Sequence, residues 1–302
     1  MKQLLNGTNW YKGNLHLHTT RSDGHVSVEE ACEIYQKAGY DFISVTDHRQ
    51  PSKGGMYENM LLIPGAEWDL GNNIDFPVYH ILSIGTESNL ELLQYYEEKS
   101  LPIGNVVSPQ DVIDRINAAG GIAILAHPAW SLMEPADLFE MTGIAAVEVY
   151  NSVSAAPWNV GRADSSHYFD LWASKGRLVN CVATDDSHWY TGEHTYSYTM
   201  VGADELTADA LIEAINAGNA YASQGPLFFS IEYDEKHVHV KCSEDVVRAA
   251  VFSNLVWADK RVYDNPHGEF VYDIAEADRY VRIELIDSHG RRAWSRPFSV
   301  AE

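Results

Sequence analysis

Up to about Gly225 the chain alternates short β-branched runs with helical patterns, and this alternation restricts it to parallel α/β layering. The strand runs fall at residues 14–18, 42–47, 61–67, 78–84, 122–127, 145–150 and 178–186. Between the first two, Ser27-Val28-Glu29-Glu30 reads as a capping box, Ala31, Ile34, Tyr35 and Ala38 share one helical face, and Gly39 closes the helix. A second helix opens at Ser108-Pro109, a cap followed by a proline at the first helical position, and stops at Gly120-Gly121. Only twelve residues separate Glu67 from His80, among them Gly71-Asn72-Asn73 and Pro77. That is too tight for a helical crossover and predicts an antiparallel hairpin. Past Gly225-Pro226 only strand patterns remain, at 228–233, 237–242, 249–257, 270–274, 280–286 and 292–300. The expected organisation is an α/β domain over 1–225 and a small antiparallel β-sandwich-like domain over 226–302.

Charge narrows the partners. With 21 Lys+Arg against 43 Asp+Glu the formal charge is −22, a field that repels polyanions and argues against binding of extended nucleic acid. Cys32, Cys181 and Cys242 lie far apart with no C-x-x-C spacing, so neither a disulfide framework nor a thiolate zinc site is expected, and a reducing compartment fits. The N-terminus lacks an apolar stretch of signal-peptide length and no run is long enough to span a bilayer, so a cytoplasmic location with no membrane partner is expected.

The chemistry gathers at strand ends. His16-Leu17-His18 lies on the first strand run, where period-2 alternation sets both imidazoles on one side and Leu15 and Leu17 on the other. The second run ends in Thr46-Asp47-His48, the third in Gly65-Ala66-Glu67, the fifth in Ala126-His127-Pro128 and the seventh in Asp185-Asp186-Ser187-His188. In a parallel barrel those carboxyl ends converge at one mouth. His80 begins the fourth run, but the antiparallel return carries it to the same end, and Asp23 in Ser22-Asp23-Gly24 sits in a loop above it. Nine candidate ligands result: His16, His18, Asp23, His48, Glu67, His80, His127, Asp186 and His188. Asp186 is preferred to Asp185 because D-x-H spacing puts it on the face of His188. Crowded imidazoles are held neutral by coordinated cations, and imidazole with carboxylate and no thiolate suits manganese, zinc or iron. Nine ligands exceed the needs of one ion, so two or three divalent ions are expected, and their surplus charge attracts an anionic substrate, phosphate above all.

These motifs, in this order over roughly residues 10–225, resemble the polymerase and histidinol phosphatase (PHP) family of metal-dependent phosphoesterases. The resemblance implies a distorted (β/α)7 barrel with up to three metals that hydrolyses phosphate esters, the family's nine metal positions falling on the nine candidates. The stretch from Glu148-Val149-Tyr150-Asn151 through Gly161-Arg162 to His188, with residues 221–226, resembles stand-alone members that carry a small β domain behind the barrel. Some small-nucleotide phosphatases of the family have an arginine just before the His127 position; Ile124-Leu125-Ala126 supplies none here, so a nucleotide substrate is not carried over.

The expected activity is hydrolysis of a phosphomonoester or small phosphodiester by a metal-bridging hydroxide, with a small phosphorylated molecule as substrate. Arg21, Arg49 and Arg162 are candidate phosphate clamps, and Trp130, Trp158, Trp189 and Tyr190 candidate pocket walls. Asp47 and Glu148 are read either as acceptors that orient ligand histidines or as caps on nearby backbone. His237 and His239 repeat the H-x-H spacing without carboxylate-bearing strand ends and are read as an ordinary sheet face. Two other activities stand beside the first: a single-strand exonuclease, which calls for basic or aromatic tracking surfaces, and a non-catalytic, metal-stabilised binding module.

Overall fold

The computed structural model describes residues 1–5, 7–71, 77–86, 108–157 and 159–301; Asn72, Asn73 and Trp158 lie outside them. The first strands are β1 (Lys2–Gln3), β2 (Asn9–Asn14) and β3 (Phe42–Ser44). Helix α1 (Val28–Lys37) stands between β2 and β3. Its start is the capping box read from the sequence, the Ser27 hydroxyl accepting from the Glu30 amide while Glu30 reaches back to the Ser27 amide. Ala31, Cys32 and Tyr35 bury its inner face.

The connection after β3 departs from strand-helix alternation. A short hairpin, β4 (Gly55–Tyr57) with β5 (Met60–Ile63), takes the place of a helix, and after Pro64 the chain continues as β6 (Gly65–Leu70). Then β7 (Tyr79–Ile84) returns antiparallel to β6, as the short connection requires. Helix α2 (Pro109–Ala118), capped by Ser108, leads into β8 (Ile122–Leu125) and β9 (Ile144–Asn151). Helix α3 (Ser166–Ser174) precedes β10 (Cys181–Thr184).

Strands β6 to β10 form one sheet, antiparallel at β6–β7 and β7–β8 and parallel at β8–β9 and β9–β10. Strands β2, β3 and β5 run parallel in a second. The two sheets meet at isolated parallel bridges, Leu17 with Ser187 and His48 with Glu67. Apolar side chains from both fill the space between them, among them Leu15, Phe42, Ile63, Leu82, Ile124 and Val182.

Two features were not visible in the pattern. Past residue 190 the chain adds β11 (Tyr198–Ala203), α4 (Ala208–Asn216) and β12 (Ala220–Ser223) before the all-β segment begins. That segment contains β13 (Phe228–Tyr233), β14 (His237–Cys242), β15 (Val246–Phe252), β16 (Val262–Asp264), β17 (Glu269–Asp273), β18 (Tyr280–Asp287) and β19 (Arg292–Trp294). It does not stand apart from what precedes it. β19 pairs with β12, and β12 with β11, which pairs with β2, so one sheet runs across residue 225; β1 in turn pairs with β13. Arg282, almost wholly buried, binds Asp170 of α3 through Nε at 2.8 Å and Nη2 at 2.6 Å. All three cysteines are buried free thiols. Among the described residues no helix is long and apolar enough to cross a membrane.

Candidate metal centre

Regular strand β2 ends at Asn14, whose side chain amide donates to the His16 carbonyl at 2.9 Å. The strict alternation expected there therefore fails for the leucines: Leu15 packs between the two sheets, whereas Leu17 joins Ala31, Tyr35 and Ile43 beneath α1. The histidines nonetheless meet. His16 Nε2 and His18 Nε2 are 3.2 Å apart, and both face Asp186 Oδ1, at 3.1 and 3.0 Å.

Glu67, fully buried on β6, is the hub. Its Oε1 lies 2.7 Å from His80 Nδ1, 3.3 Å from His16 Nε2 and 3.4 Å from His127 Nε2. Its Oε2 lies 3.1 Å from His18 Nε2 and 3.2 Å from His48 Nδ1. Asp23 reaches over the rim, 3.5 Å from His188 Nε2 and 3.6 Å from His18 Nδ1. A Cβ at Gly24 would lie 2.5 Å from the His18 carbonyl carbon, so glycine at that position lets the Asp23 loop rest on the His18 backbone. All nine candidate residues are thus in one cluster, in three overlapping groups: His18, Asp23, His48 and His188; His16, His18, Glu67 and Asp186; Glu67, His80 and His127.

Two members hold backbone conformations that non-glycine residues avoid, His127 at φ 27° and Asp186 at φ 50°. Each costs on the order of 1–3 kcal/mol and persists only where its surroundings dictate it. Here the His127 amide donates to Glu148 Oε2 at 2.9 Å and the Asp186 amide to the His16 carbonyl at 2.9 Å.

The electrostatics favour a cation. Burial alone pulls the His16 pKa down, but Asp186, Glu67 and Glu148 outweigh it and hold it well above the usual imidazole value. His48 and His188 are raised to about 9 in the same way, burial being overcome for His48 by Asp69 and Glu67, and for His188 by Asp23 and Asp186. Burial pushes Glu67 up, yet the histidines around it bring it well below the carboxylate range, and Asp23 falls to about 2. The donor set fits divalent ions by a local test: Asp186 Oδ1 is buried and makes no hydrogen bond although two ring nitrogens stand near 3 Å, so the lone pairs converge on a point between them.

Asp185 points elsewhere. It accepts the amides of Thr195, Tyr196 and Ser197 and the Tyr35 hydroxyl, and burial raises its pKa to about 7. Asp47 anchors the loop before Asp23, accepting the Thr19 amide at 2.7 Å and the Ser22 hydroxyl at 2.8 Å. Glu148 takes both roles open to it, on His16 Nδ1 and on the His127 amide.

The cluster opens into a cleft of about 420 Å³ walled by Trp130, Val153, Ser154, Asn159 and Tyr190. Trp130 sets its edge against His127, ring centres 4.9 Å apart, and Tyr190 stacks on His188 at 5.5 Å. Trp189 turns inward, its indole N–H donating to the His18 carbonyl at 2.8 Å. Arg49 is engaged by Asp69, Arg21 donates to the Pro51 carbonyl at 3.1 Å, and Arg162 is exposed. Sequence reasoning missed Asp69, 3.4 Å from His48 Nδ1, although it follows Glu67 by two residues on the same strand face. It also missed Asn151, which donates to both Glu148 Oε2 and Asp186 Oδ2.

A two-domain protein from Bacteroides vulgatus ATCC 8482, described as containing a PHP-like metal-dependent phosphoesterase, superposes with a TM-score of 0.53 over 94% of this chain and 92% of its own, at 17% identity. The chain shares the fold of this PHP-like protein. At that identity the likeness to the solved structure is one of fold. In sequence, the chain is 37% identical over 139 residues to the DNA polymerase/3'-5' exonuclease PolX of Bacillus subtilis (strain 168). The match takes in 40% of this chain and about a quarter of the length of that relative. No family model matches the chain.

Proposed function

We propose that the protein is a metal-dependent hydrolase of phosphate esters, acting on a small phosphorylated molecule. The observation that carries this reading is Glu67, whose two oxygens face two different sets of histidines, the arrangement of a carboxylate shared between neighbouring cations. The nine clustered residues are proposed as ligands for two or three divalent ions, manganese, zinc or iron by their imidazole and carboxylate chemistry. Ions bound there supply Lewis acidity and lower the pKa of water toward neutrality. The chain's own residues do the rest: Glu148 and Asn151 hold the ligands, Asp23 closes the rim, and Trp130 and Tyr190 wall a cleft sized for a small molecule.

The two parallel bridges that join the sheets support a distorted (β/α)7 barrel over residues 1–225, and the strand-only segment supports a β domain over 226–302. A second reading comes from the Bacillus subtilis relative, whose name includes a 3'-5' exonuclease. The charge of −22 and the engagement of Arg49 and Arg21 within the protein favour the small ester.

Protein loaded with manganese, zinc or iron and assayed on an aryl phosphate, a small diester and a single-stranded oligonucleotide tests these readings. Hydrolysis of the small ester, lost in Asp186→Ala or His16→Ala together with bound metal, is expected. Preference for the oligonucleotide would establish the exonuclease, and no hydrolysis at full metal occupancy a binding module.

A further inference from the structure

The outer face of β14 carries His237 and His239, whose rings are 5.9 Å apart between centres, while Val238 and Val240 point into the core. Their spacing suggested an ordinary sheet face because no carboxylate-bearing strand ends accompany them; the turn before β14 and the pairing of the sheet supply the carboxylates instead. The β13–β14 turn places Asp234 Oδ1 3.6 Å from His237 Nδ1. The β14–β17 register sets Asp273 directly across from His237, its Oδ1 3.7 Å from Nε2, and the β13–β14 register sets Glu232 across from His239.

From this geometry we infer that Asp234, His237 and His239 form a second metal site, for a zinc-type dication, on the C-terminal sheet and separate from the nine-residue cluster. One ligand atom from each lies within 4.8 Å of the others. Metal bonds of about 2.0–2.1 Å place neighbouring ligand atoms about 3.3 Å apart on a tetrahedron, so rotation of exposed side chains suffices to close the set. Asp234 is already positioned: its Oδ1 accepts the amides of Lys236 at 2.8 Å and His237 at 2.9 Å. Asp273 stands on the Nε2 side of His237 at 3.7 Å, where a small rotation of its exposed side chain lets it accept a hydrogen bond from Nε2–H, the tautomer that leaves the Nδ1 lone pair facing Asp234. Four acids, Glu232, Asp234, Glu235 and Asp273, stand around the histidines against the three lysines Lys2, Lys236 and Lys241. Two imidazoles with one carboxylate and no thiolate select zinc, nickel or copper over calcium or magnesium. An ion held there ties the β13–β14 turn to the middle of β14, beside an open pocket lined by Tyr233, Lys236 and Ser299.

The test is zinc stoichiometry of the full chain by equilibrium dialysis and elemental analysis, comparing the unaltered protein with His237→Ala/His239→Ala and with Asp234→Asn. All three positions lie on a solvent-facing turn or face, and unfolding curves recorded with chelator verify that each variant is folded. The expected result is one zinc ion fewer per chain in the double variant, a weakened last zinc in Asp234→Asn, and the same deficit when the comparison is repeated in an Asp186→Ala background. Equal zinc content in the double variant and the unaltered chain overturns the inference, and so does a deficit that vanishes in the Asp186→Ala background.

Discussion

Glu148 Oε1 lies 2.8 Å from His16 Nδ1 in a fully buried contact. A carboxylate only accepts, so Nδ1 carries the proton and Nε2 is the atom turned toward Glu67 and Asp186. The Thr184 hydroxyl steadies the same oxygen at 2.6 Å, and the other oxygen fixes the strained backbone of His127. Glu148→Ala is expected to weaken metal affinity by about 10- to 100-fold. Glu148→Gln, which retains an accepting oxygen, is expected to recover part of it. Competition with a chelator of known affinity reads both, and equal losses in the two variants would mean that packing rather than orientation is at work.

Ion uptake should depend on pH in a set direction. His48 and His188 keep their protons up to about pH 9, and coordination needs them neutral. Binding at neutral pH must therefore expel protons, and apparent affinity must rise with pH until about 9 and then level. Calorimetry of metal binding in buffers of different ionisation enthalpy measures the protons released; none released at pH 7 would contradict the charge state assigned to these two residues.

A buried cation, Arg282, ties the all-β segment to α3 beside the Tyr280 hydroxyl. Arg282 meets Asp170 at 2.6 Å and Glu284 at 2.5 Å; without it Asp170 keeps the Tyr280 hydroxyl at 3.1 Å and buried Glu284 keeps Arg292 at the longer distance of 3.6 Å. Arg282→Ala is expected to cost about 3 kcal/mol of stability by denaturant unfolding, because the buried Glu284 carboxylate loses its close cationic partner. Ester hydrolysis per folded molecule should change little, since the Arg282 side chain binds Asp170 and Glu284 and none of the nine clustered residues.

Much of this was legible in particular residues. Ser27 and Glu30 mark the start of α1 because capping is local chemistry, and the twelve residues between Glu67 and His80 enforce a return because chain reach is fixed by covalent geometry. Seven of the nine clustered residues were readable because they sit at or just past the carboxyl ends of strand runs, which converge on one mouth; His80 followed from the antiparallel return, and Asp23 from its loop just past the first run. What was hidden depends on pairing between distant segments. No local pattern announces that β19 lies beside β12, that Asp273 lies across from His237, or that Arg282 reaches Asp170. Asp69 was hidden for a different reason: Glu67 already filled the carboxylate role on that strand, so the next residue on the same face drew no attention.

The central claim is that one pocket cages several divalent ions around a shared carboxylate. Elemental analysis combined with aryl phosphate turnover, on the unaltered protein and on Glu67→Gln, tests it most directly. Two or three ions per chain at the cluster, with ion content and turnover falling together in Glu67→Gln, is the predicted result. An active protein without transition-metal ions, or a Glu67→Gln variant with unchanged metal and rate, would contradict it.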